Sequence, residues 1–274
     1  MDDYIKTFEA RGDHYNEAAR IHPRARDLER RILIDLLQIE PQHLICDAPA
    51  GGGYLADGLR PLVRRTDQII CVEPSATFAA GIDPVYIAHV APLNRLPLPD
   101  AAADRVGSLA GLHHLADKSS FVHEAHRILK PGGQIAFADV LDGTSAARFL
   151  NGAVDRYTTT GHHGLFLHAD ECRALLGAAG FQSIRVVHRR YCWNFNSEEQ
   201  MVRYCQSLFG MVRASYEEVR AALVESFDIR HDPDKVRLPW SLVYAAGVKP
   251  VSVRPFKRAR RAAGSRAASA LTSA

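Results

Sequence analysis

A chain of 274 residues with 47% hydrophobic content can bury one sizeable core and is short for two full domains, so we expect one main domain with an elaboration. The net charge is +3, but residues 251–274 hold six basic residues and no acid, and without those six the charge becomes −3, which leaves no compositional case for nucleic-acid binding by the folded part. The chain shows no apolar run long enough to span a membrane and no apolar signal-peptide core near its charged N-terminus, so a cytoplasmic protein is expected.

The first predicted elements follow a polar opening. Leu28, Ile32, Leu36 and Ile39 recur at spacings of three and four, which predicts a helix with one apolar face that ends before Pro41. Short apolar runs then alternate with helix-length segments, a pattern typical of consecutive βαβ units and a mostly parallel sheet. The runs predicted as strands are HLICD (43–47), QIICVE (68–73), VYIAHV (85–90), RVGSLAG (105–111) and QIAFADV (134–140).

The remaining elements are less regular. A polar, histidine-bearing stretch (155–168) precedes a helix that ends near Gly180, and a sixth strand follows at 181–195. Two amphipathic helices separate it from the last strand, WSLVYAAGV (240–248). We therefore predict a doubly wound α/β fold with a mostly parallel seven-stranded sheet, N-terminal helices and a helical cap inserted before the last strand.

The predicted domain covers residues 1–250, with cap elements at about 145–168 and 197–237. Residues 251–274 are rich in Ala, Ser and Arg, which predicts a disordered basic tail. Contact of that tail with RNA or an anionic lipid is the alternative.

The cysteines are odd in number and show no CxxC or Cys/His spacing: Cys46, Cys71, Cys172, Cys192 and Cys205. Neither a disulfide framework nor a zinc site is indicated. We expect buried thiols and no metal.

The strongest local signal is LICDAPAGGGYLADGL (44–59), where a strand ends at Asp47, a glycine-rich turn follows and a helix begins. Glycines allow close approach of the backbone to a ligand, and a helix N-terminus offers free N–H groups. The loop alone fits NAD, FAD or S-adenosylmethionine equally. Glu73 ends the second strand, where a carboxylate can accept both hydrogens of a ribose diol; the alternative is an exposed glutamate in a turn before Pro74. We expect Glu73 to face an open cleft and to have few packed neighbours.

Four blocks in order extend this signal: DAPAGGG (47–53), CVEP (71–74), LPLPDAAADRVGSLAGLHHLAD (96–117) and HEAHRILKPGGQIAFAD (123–139). From about Leu44 to Asp139 the chain resembles the class I S-adenosylmethionine-dependent methyltransferases, in particular the small-molecule branch typified by ubiquinone- and biotin-pathway methyltransferases. In the same span, LKPGG (129–133) is interpreted as the turn that follows a helix and leads into the fifth strand. The resemblance implies S-adenosylmethionine as cofactor and methyl transfer to a small-molecule or biosynthetic-intermediate acceptor.

The resemblance also implies the cofactor-binding residues, which are Asp47, Ala48, Ala50, Gly51, Gly53, Glu73, Pro74, Leu93, Asn94, Leu109 and His114. The chain departs from the family's pattern at three places. Pro49 stands where the loop usually has its first glycine, and Leu109 stands where many relatives carry a polar residue. Pro92 replaces the usual acid that accepts from the adenine amino group, so Asn94 is the substitute acceptor.

Methyl transfer is an in-line displacement that requires alignment and exclusion of water, and it needs a general base only when the nucleophile arrives protonated. Candidate catalytic residues are Tyr157, His162 and His163, with Tyr191 and Trp193 as further candidates on the acceptor side and Tyr15 and His22 as weaker ones. At least one of His113 and His114 is expected to be a hydrogen-bonded structural residue. Alternative functions are a non-methylating use of S-adenosylmethionine, such as aminobutyrate transfer or cyclisation, and a non-catalytic cofactor-binding subunit.

Overall fold

The computed structural model describes residues 2–251 as a mixed β-sheet with helices on both faces. The strands are β1 (Ile45–Asp47), β2 (Ile69–Glu73), β3 (Ile87–Val90), β4 (Ala103–Leu109), β5 (Leu129–Asp139), β6 (Gln182–Phe195), β7 (Arg230–Asp232) and β8 (Lys235–Val248). The helices are α1 (Asp2–Ile21), α2 (Asp27–Leu37), α3 (Tyr54–Leu59), α4 (Ala76–Ala79), α5 (Lys118–Ile128), α6 (Ser145–Phe149), α7 (Asp155–Tyr157), α8 (Ala169–Ala178), α9 (Glu198–Leu208) and α10 (Tyr216–Ser226). Among these helices, none combines the length and the apolar character that crossing a membrane requires.

The sheet has the strand order β3-β2-β1-β4-β5-β8-β6, and β7 pairs with β8. Strands β1 to β5 pair in parallel, whereas β8 runs antiparallel between β5 and β6. The predicted doubly wound fold is confirmed: each of the seven predicted strands is present, and the short β7 is an addition. The strand order reverses between β1 and β4, which is the kind of switch point where α/β sheets bind ligands.

Helix α2 is present as predicted, but its predicted apolar face is wrong by one residue. Glu29, Leu33 and Leu37 form the buried line, whereas Leu28 is 44% exposed. Both the predicted set of residues and the buried set recur every four positions, so the spacing alone does not distinguish them. The predicted set was preferred because the buried set contains the acidic residue Glu29. A buried carboxylate in this position implies partners for Glu29 elsewhere in the fold.

Residues 129–133 were expected to be a turn, and the structure places them within β5, which begins directly after α5 ends. Leu129 pairs with Ala103 and Gln134 pairs with Arg105, so the ladder is interrupted between these pairs. Gly132, with φ +81, lies in the segment that bulges out. The segment therefore bends the chain as a turn does while remaining at the start of a strand.

The carboxyl ends of the central parallel strands meet at one edge of the sheet. Asp47, Glu73, Leu109 and Asp139 are the last residues of β1, β2, β4 and β5. Helix α1 packs against α4 and α9, and its Tyr4 reaches Glu73 at this edge. The edge therefore lies beneath the N-terminal helix.

The segments expected to form the cap contain α6 and α7 in the first and α9 and α10 in the second. Helix α9 begins after Ser197, whose hydroxyl accepts from the Gln200 N–H, and α10 begins after Ser215 with a capping box to Glu218. Beyond Val251, the expected basic tail lies outside the described residues.

Candidate functional site

A small cavity of about 40 Å³ lies at the glycine-rich loop between β1 and α3. Gly51 has φ +55, and a Cβ there would lie 2.7 Å from Cζ of Phe78. Gly53, with φ +89, precedes the first turn of α3. Both positions require glycine, because side-chain-bearing residues are strained at these dihedrals. The cavity is lined by Tyr4, Phe8, Tyr15, Asp47, Pro49, Ala50, Gly51, Tyr54, Leu55, Phe78, Leu109, Ala110 and Gly111.

Glu73 lies next to this loop and is fully buried. Its Oε2 accepts from the Gly51 N–H at 2.9 Å and from the Tyr4 hydroxyl at 2.9 Å, and its Oε1 accepts from the Ser75 N–H at 3.0 Å. Burial raises the pKa of Glu73 to about 7. The expectation that Glu73 faces an open cleft is wrong for this conformation, because Tyr4 on α1 covers the carboxylate.

Asp47 lines the same cavity, and only one of its two carboxylate oxygens has a hydrogen-bond partner in the described part of the chain. Its Oδ2 accepts from the Ala56 N–H at 3.2 Å, whereas Oδ1 is buried without a hydrogen-bond partner among residues 2–251. Burial raises the pKa of the Asp47 carboxyl well above its usual range. The Tyr54 hydroxyl is also buried without a partner in the described part of the chain. Unsatisfied polar groups are rare in folded proteins, so two of them at one cavity fit a polar ligand.

The other residues expected to bind the cofactor fall into three groups. Ala50, Gly51 and Leu109 line the small cavity with Asp47. Ala48 and Pro74 are buried beside it. Leu93 is fully buried in the core and Asn94 is exposed, and neither lines the small cavity.

A second cavity of about 70 Å³ lies beside the first. The two cavities share Phe8, Tyr15 and Ala110 as lining residues. A group bound in the first cavity is therefore adjacent to a group bound in the second. The second cavity is lined by Phe8, Arg11, Tyr15, Arg26, Ala110, His113, His114, Val140, Leu150, His162, Trp193, Leu208, Phe209, Trp240 and Leu242.

His113 is the most firmly held imidazole in the second cavity. Its Nδ1 lies 2.6 Å from Oδ1 of Asp139, and its backbone N–H donates to Oδ2 of the same carboxylate at 2.9 Å. Because a carboxylate only accepts, Nδ1 carries the proton and Nε2 is left as a free acceptor. His113 therefore has the tautomer and the orientation of a general base.

His162 has the same tautomer for a different reason. Asn151 donates through Nδ2 to the Gly164 carbonyl at 3.0 Å, and its Oδ1 accepts from the Gly164 N–H at 2.7 Å. These two bonds fix the orientation of the amide, so the contact of 3.0 Å between Oδ1 and His162 Nδ1 requires a proton on Nδ1. Nε2 of His162 is then also free to accept.

His114 completes a group of three imidazoles. The ring centroids of His113 and His114 are 4.1 Å apart, and those of His114 and His162 are 5.0 Å apart. Burial, the neighbouring imidazoles and the guanidinium of Arg11 lower the pKa of His114 and of His162 well below 6.5. Both are therefore neutral near pH 7 and can accept protons or bind a metal.

Metal binding is chemically open to this group, because one donor atom from each of the three histidines lies within 4.8 Å of the others. The local charge opposes it, because the positive field of Arg11 that lowers the pKa of His114 and His162 also acts on a divalent cation.

The predicted acceptor-side residues separate in the structure. His162 and Trp193 line the second cavity, whereas Tyr157 does not. The His163 side chain is 85% exposed and lies 3.7 Å from Asp155. Tyr191 is buried and donates from its hydroxyl to Glu29 at 3.1 Å.

The two weaker candidates also separate. Tyr15 lines both cavities. His22 packs edge-on against Phe195 and Tyr204, away from the cavities.

Sequence reasoning missed Asp139, Arg11 and Trp240, and it expected at least one of His113 and His114 to be structural. A signal existed for the first of these, because Asp139 ends the strand next to β4 and His113 follows the end of β4. The carboxyl ends of neighbouring parallel strands meet at one edge of the sheet, so this pair was predictable. Arg11 and Trp240 carried no comparable signal.

Comparison with known proteins gives a family model described as a methyltransferase domain, which matches residues 46–137. The chain is 33% identical over 106 residues to 27-O-demethylrifamycin SV methyltransferase of Amycolatopsis mediterranei, covering 38% of this chain and 39% of that protein. It is 30% identical over 139 residues to a probable S-adenosylmethionine-dependent methyltransferase of Mycolicibacterium smegmatis, covering 50% of this chain and 51% of that protein. The chain thus spans about half of these curated relatives or less.

Among solved structures, the chain is similar to a SAM-dependent methyltransferase of Thermotoga maritima that is described as a possible histamine N-methyltransferase. The TM-score is 0.60 at 19% identity, covering 90% of this chain and 99% of that one. At this identity the likeness establishes the fold.

Proposed function

We propose that this chain, whose residues 46–137 match the methyltransferase domain model, is an S-adenosylmethionine-dependent methyltransferase that transfers a methyl group from S-adenosylmethionine to a small-molecule acceptor. The observation that carries the proposal is the adjacency of the two cavities, which share Phe8, Tyr15 and Ala110. A methyl donor at the glycine loop would lie next to an acceptor among the histidines. Such proximity and alignment supply most of the catalysis in a displacement of this kind.

The residues around the first cavity fit the cofactor. Glu73 offers carboxylate oxygens to a ribose diol, and Asp47 Oδ1 offers an unused acceptor to the amino group of the methionine part. Gly51 and Gly53 keep the loop free of side chains. When bound, S-adenosylmethionine supplies a methyl group on a sulfonium, which leaves as a neutral thioether.

Cofactor entry requires movement of α1. The first cavity holds about 40 Å³, and pockets that bind cofactors hold about 300 Å³ or more. Tyr4 and Phe8 occupy this region, with Tyr4 on the Glu73 carboxylate and Phe8 stacked on Phe78 at 4.8 Å between ring centroids. We infer that this part of α1 swings outward for binding and then closes to exclude water.

His113 is the residue to which we assign the general base. Its Nε2 accepts the proton of an acceptor hydroxyl during attack, or removes a proton from an acceptor ammonium before attack. The acceptor atom then bonds to the methyl carbon through its lone pair as the carbon–sulfur bond breaks. Asp139 holds the imidazole in this tautomer and stabilises the imidazolium that forms. His162, with Nε2 also free, is the second candidate for this role.

We also place the protein in the cytoplasm, with a small molecule rather than a nucleic acid as its partner. The cysteines support this location, because all five are free and four of them are buried. The charge of −3 outside residues 251–274 supports a small molecule rather than a nucleic acid as the partner, because nucleic-acid binding depends on clustered positive charge.

The first test is calorimetry with S-adenosylhomocysteine and with NAD. We expect binding of S-adenosylhomocysteine on the micromolar scale and no binding of NAD. The second test follows formation of S-adenosylhomocysteine from S-adenosylmethionine in the presence of a panel of small phenols and amines. Binding of NAD in place of S-adenosylhomocysteine would refute the proposal, and cofactor binding without turnover of any acceptor would indicate a non-catalytic subunit.

A further inference from the structure

Three aromatic side chains, Trp193, Trp240 and Phe209, line the second cavity, and together we call them its aromatic wall. Trp193 and Trp240 stack with ring centroids 4.3 Å apart and 26° between planes. Phe209 stacks with both, at 21° and 24°, so the wall is a stack of rings and not a flat sheet. Aromatic rings favour offset-stacked or edge-to-face contact with other aromatic rings, so this lining favours an aromatic ligand.

Two guanidinium groups reach this cavity, and one of them is neutralised by the protein. Arg26 forms an ion pair with Glu29, to which its Nε donates at 2.9 Å. The same carboxylate accepts from the Tyr191 hydroxyl at 3.1 Å and from Trp193 Nε1 at 3.0 Å. The charge of Arg26 is therefore balanced within the fold.

Arg11 differs from Arg26 because its hydrogen-bond partners are neutral and the carboxylate that acts on its charge, Asp155, lies beyond ion-pair distance. Its side chain donates to the hydroxyls of Thr158 and Thr160 and to the carbonyl of Gly161, and it forms no ion pair with a carboxylate among residues 2–251. Arg11 is only 6% exposed. Burial lowers the pKa of its guanidinium to about 10, so it keeps its charge at neutral pH.

A buried cation with no anion in contact is costly, because the more distant Asp155 carboxylate offsets only part of its transfer out of water. An anionic ligand in the cavity would supply a direct partner. Among residues 2–251, no hydrogen bond uses Nη1 of Arg11, so a carboxylate can accept a charge-assisted hydrogen bond from it.

We infer that the methyl acceptor is a planar aromatic carboxylic acid, with its ring on the wall formed by Trp193, Trp240 and Phe209 and its carboxylate on Arg11. The inference rests on the proposed function. A hydroxyl or amino group elsewhere on the ring is the methylated atom, and its proton passes to the histidine group. Because Arg11 belongs to α1, the bound carboxylate also holds that helix over the cavity.

The two tryptophans of the wall are the only tryptophans in the chain, so intrinsic tryptophan fluorescence reports on this cavity. We would titrate benzoate, 4-hydroxybenzoate and 2-naphthoate, each against its methyl ester, in the presence of saturating S-adenosylhomocysteine. We expect at least one acid to bind at least tenfold more tightly than its ester, since charge-assisted hydrogen bonds of this strength are lost in the ester. If no acid is preferred over its ester, the inference is wrong.

The same titrations on variants of Arg11 test whether its guanidinium is responsible for the preference. Arg11→Gln should abolish the preference for the acid, and Arg11→Lys should retain part of it. Arg20→Gln is the matched control, because Arg20 lies on the same helix with a side chain that is 74% exposed. Persistence of the preference for the acid in a folded Arg11→Gln protein would overturn the inference. If that variant does not fold, the comparison of each acid with its ester on the unaltered chain decides whether the inference holds.

Calorimetry on the same samples separates this inference from the proposed function. Binding of S-adenosylhomocysteine without preference for the acids would refute the inference alone. Preference for the acids without binding of S-adenosylhomocysteine would refute the proposed function and, with it, the role of the acid as methyl acceptor, and would leave Arg11 as the site of an acid with another role.

Discussion

The affinity for S-adenosylhomocysteine should depend on pH through Glu73, and the substitution Glu73→Gln should remove that dependence. Burial raises the pKa of Glu73 to about 7. If the carboxylate form alone accepts the ribose hydroxyls, the competent fraction is about one tenth at pH 6 and about nine tenths at pH 8. The dissociation constant should therefore fall about tenfold over this range.

Calorimetry at pH 6, 7 and 8 measures this change. His114 and His162 do not obscure it, because the pKa of each lies well below 6.5. Burial also raises the pKa of the Asp47 carboxyl, the proposed partner of the cofactor's amino group, so the Gln variant should bind weakly and keep only the pH dependence that Asp47 contributes. A constant affinity for the unaltered chain, or a slope in Glu73→Gln as steep as in the unaltered chain, would show that Glu73 does not bind the ribose.

The stability of the protein without cofactor also depends on Glu73. Because its folded pKa lies above the ordinary value of 4.5, its contribution to stability is complete below about pH 4.5 and is lost as the pH rises through about 7. The sequence alone suggested that removing Glu73 would leave stability unchanged. The structure indicates otherwise for Glu73→Ala, because the N–H groups of Gly51 and Ser75 would lose a buried acceptor, at about 1–3 kcal/mol each.

Further substitutions test three features: the cover that α1 forms over Glu73, the proposed general base His113, and the buried ion pair of Arg26 and Glu29. Tyr4→Phe removes the hydroxyl that competes for Glu73, so calorimetry should show S-adenosylhomocysteine binding about tenfold more tightly; unchanged or weaker binding would contradict this. Asp139→Asn should lower kcat on the order of 10²-fold through the orientation of His113, while the dissociation constant for S-adenosylhomocysteine changes less than twofold; equal losses in both would indicate a structural role. Glu29→Gln leaves the neighbouring guanidinium unbalanced, so urea unfolding should show a loss of about 3–5 kcal/mol; a loss within about 0.5 kcal/mol, as at an ordinary surface position, would contradict the assignment.

The strands and the glycine loop could be predicted from the sequence because their signals are local. Each buried strand is a short apolar run, and the turn after Asp47 requires glycines at its own positions. The burial of Glu73 could not be predicted in this way. It depends on Tyr4, which is distant in the sequence and lies in the N-terminal segment, where only Tyr15 and His22 had been named as candidates.

The residues predicted to be catalytic separate in the structure for a related reason. His162 and His163 are adjacent in the sequence and have the same chemistry, yet one lines the cavity and the other is 85% exposed at its side chain. Asn151 and Asp155 determine this difference through hydrogen bonds to the loop. Composition and spacing carry no information on such contacts, whereas the edge formed by β4 and β5 would have revealed the His113–Asp139 pair.

One face of α1 connects the two cavities. Tyr4, Phe8, Arg11 and Tyr15 follow one another at spacings of four, three and four, so they lie on one side of the helix. Phe8 and Tyr15 line both cavities, whereas Tyr4 lines the first and Arg11 the second. We therefore expect the inferred movement of α1 to change both sites together: displacing Tyr4 should open the cofactor site and loosen the contacts of Arg11, and an anion on Arg11 should draw the helix back over a bound cofactor. We expect binding of cofactor and of acceptor to be coupled in this arrangement, because each ligand would stabilise the position of a helix that the other also contacts.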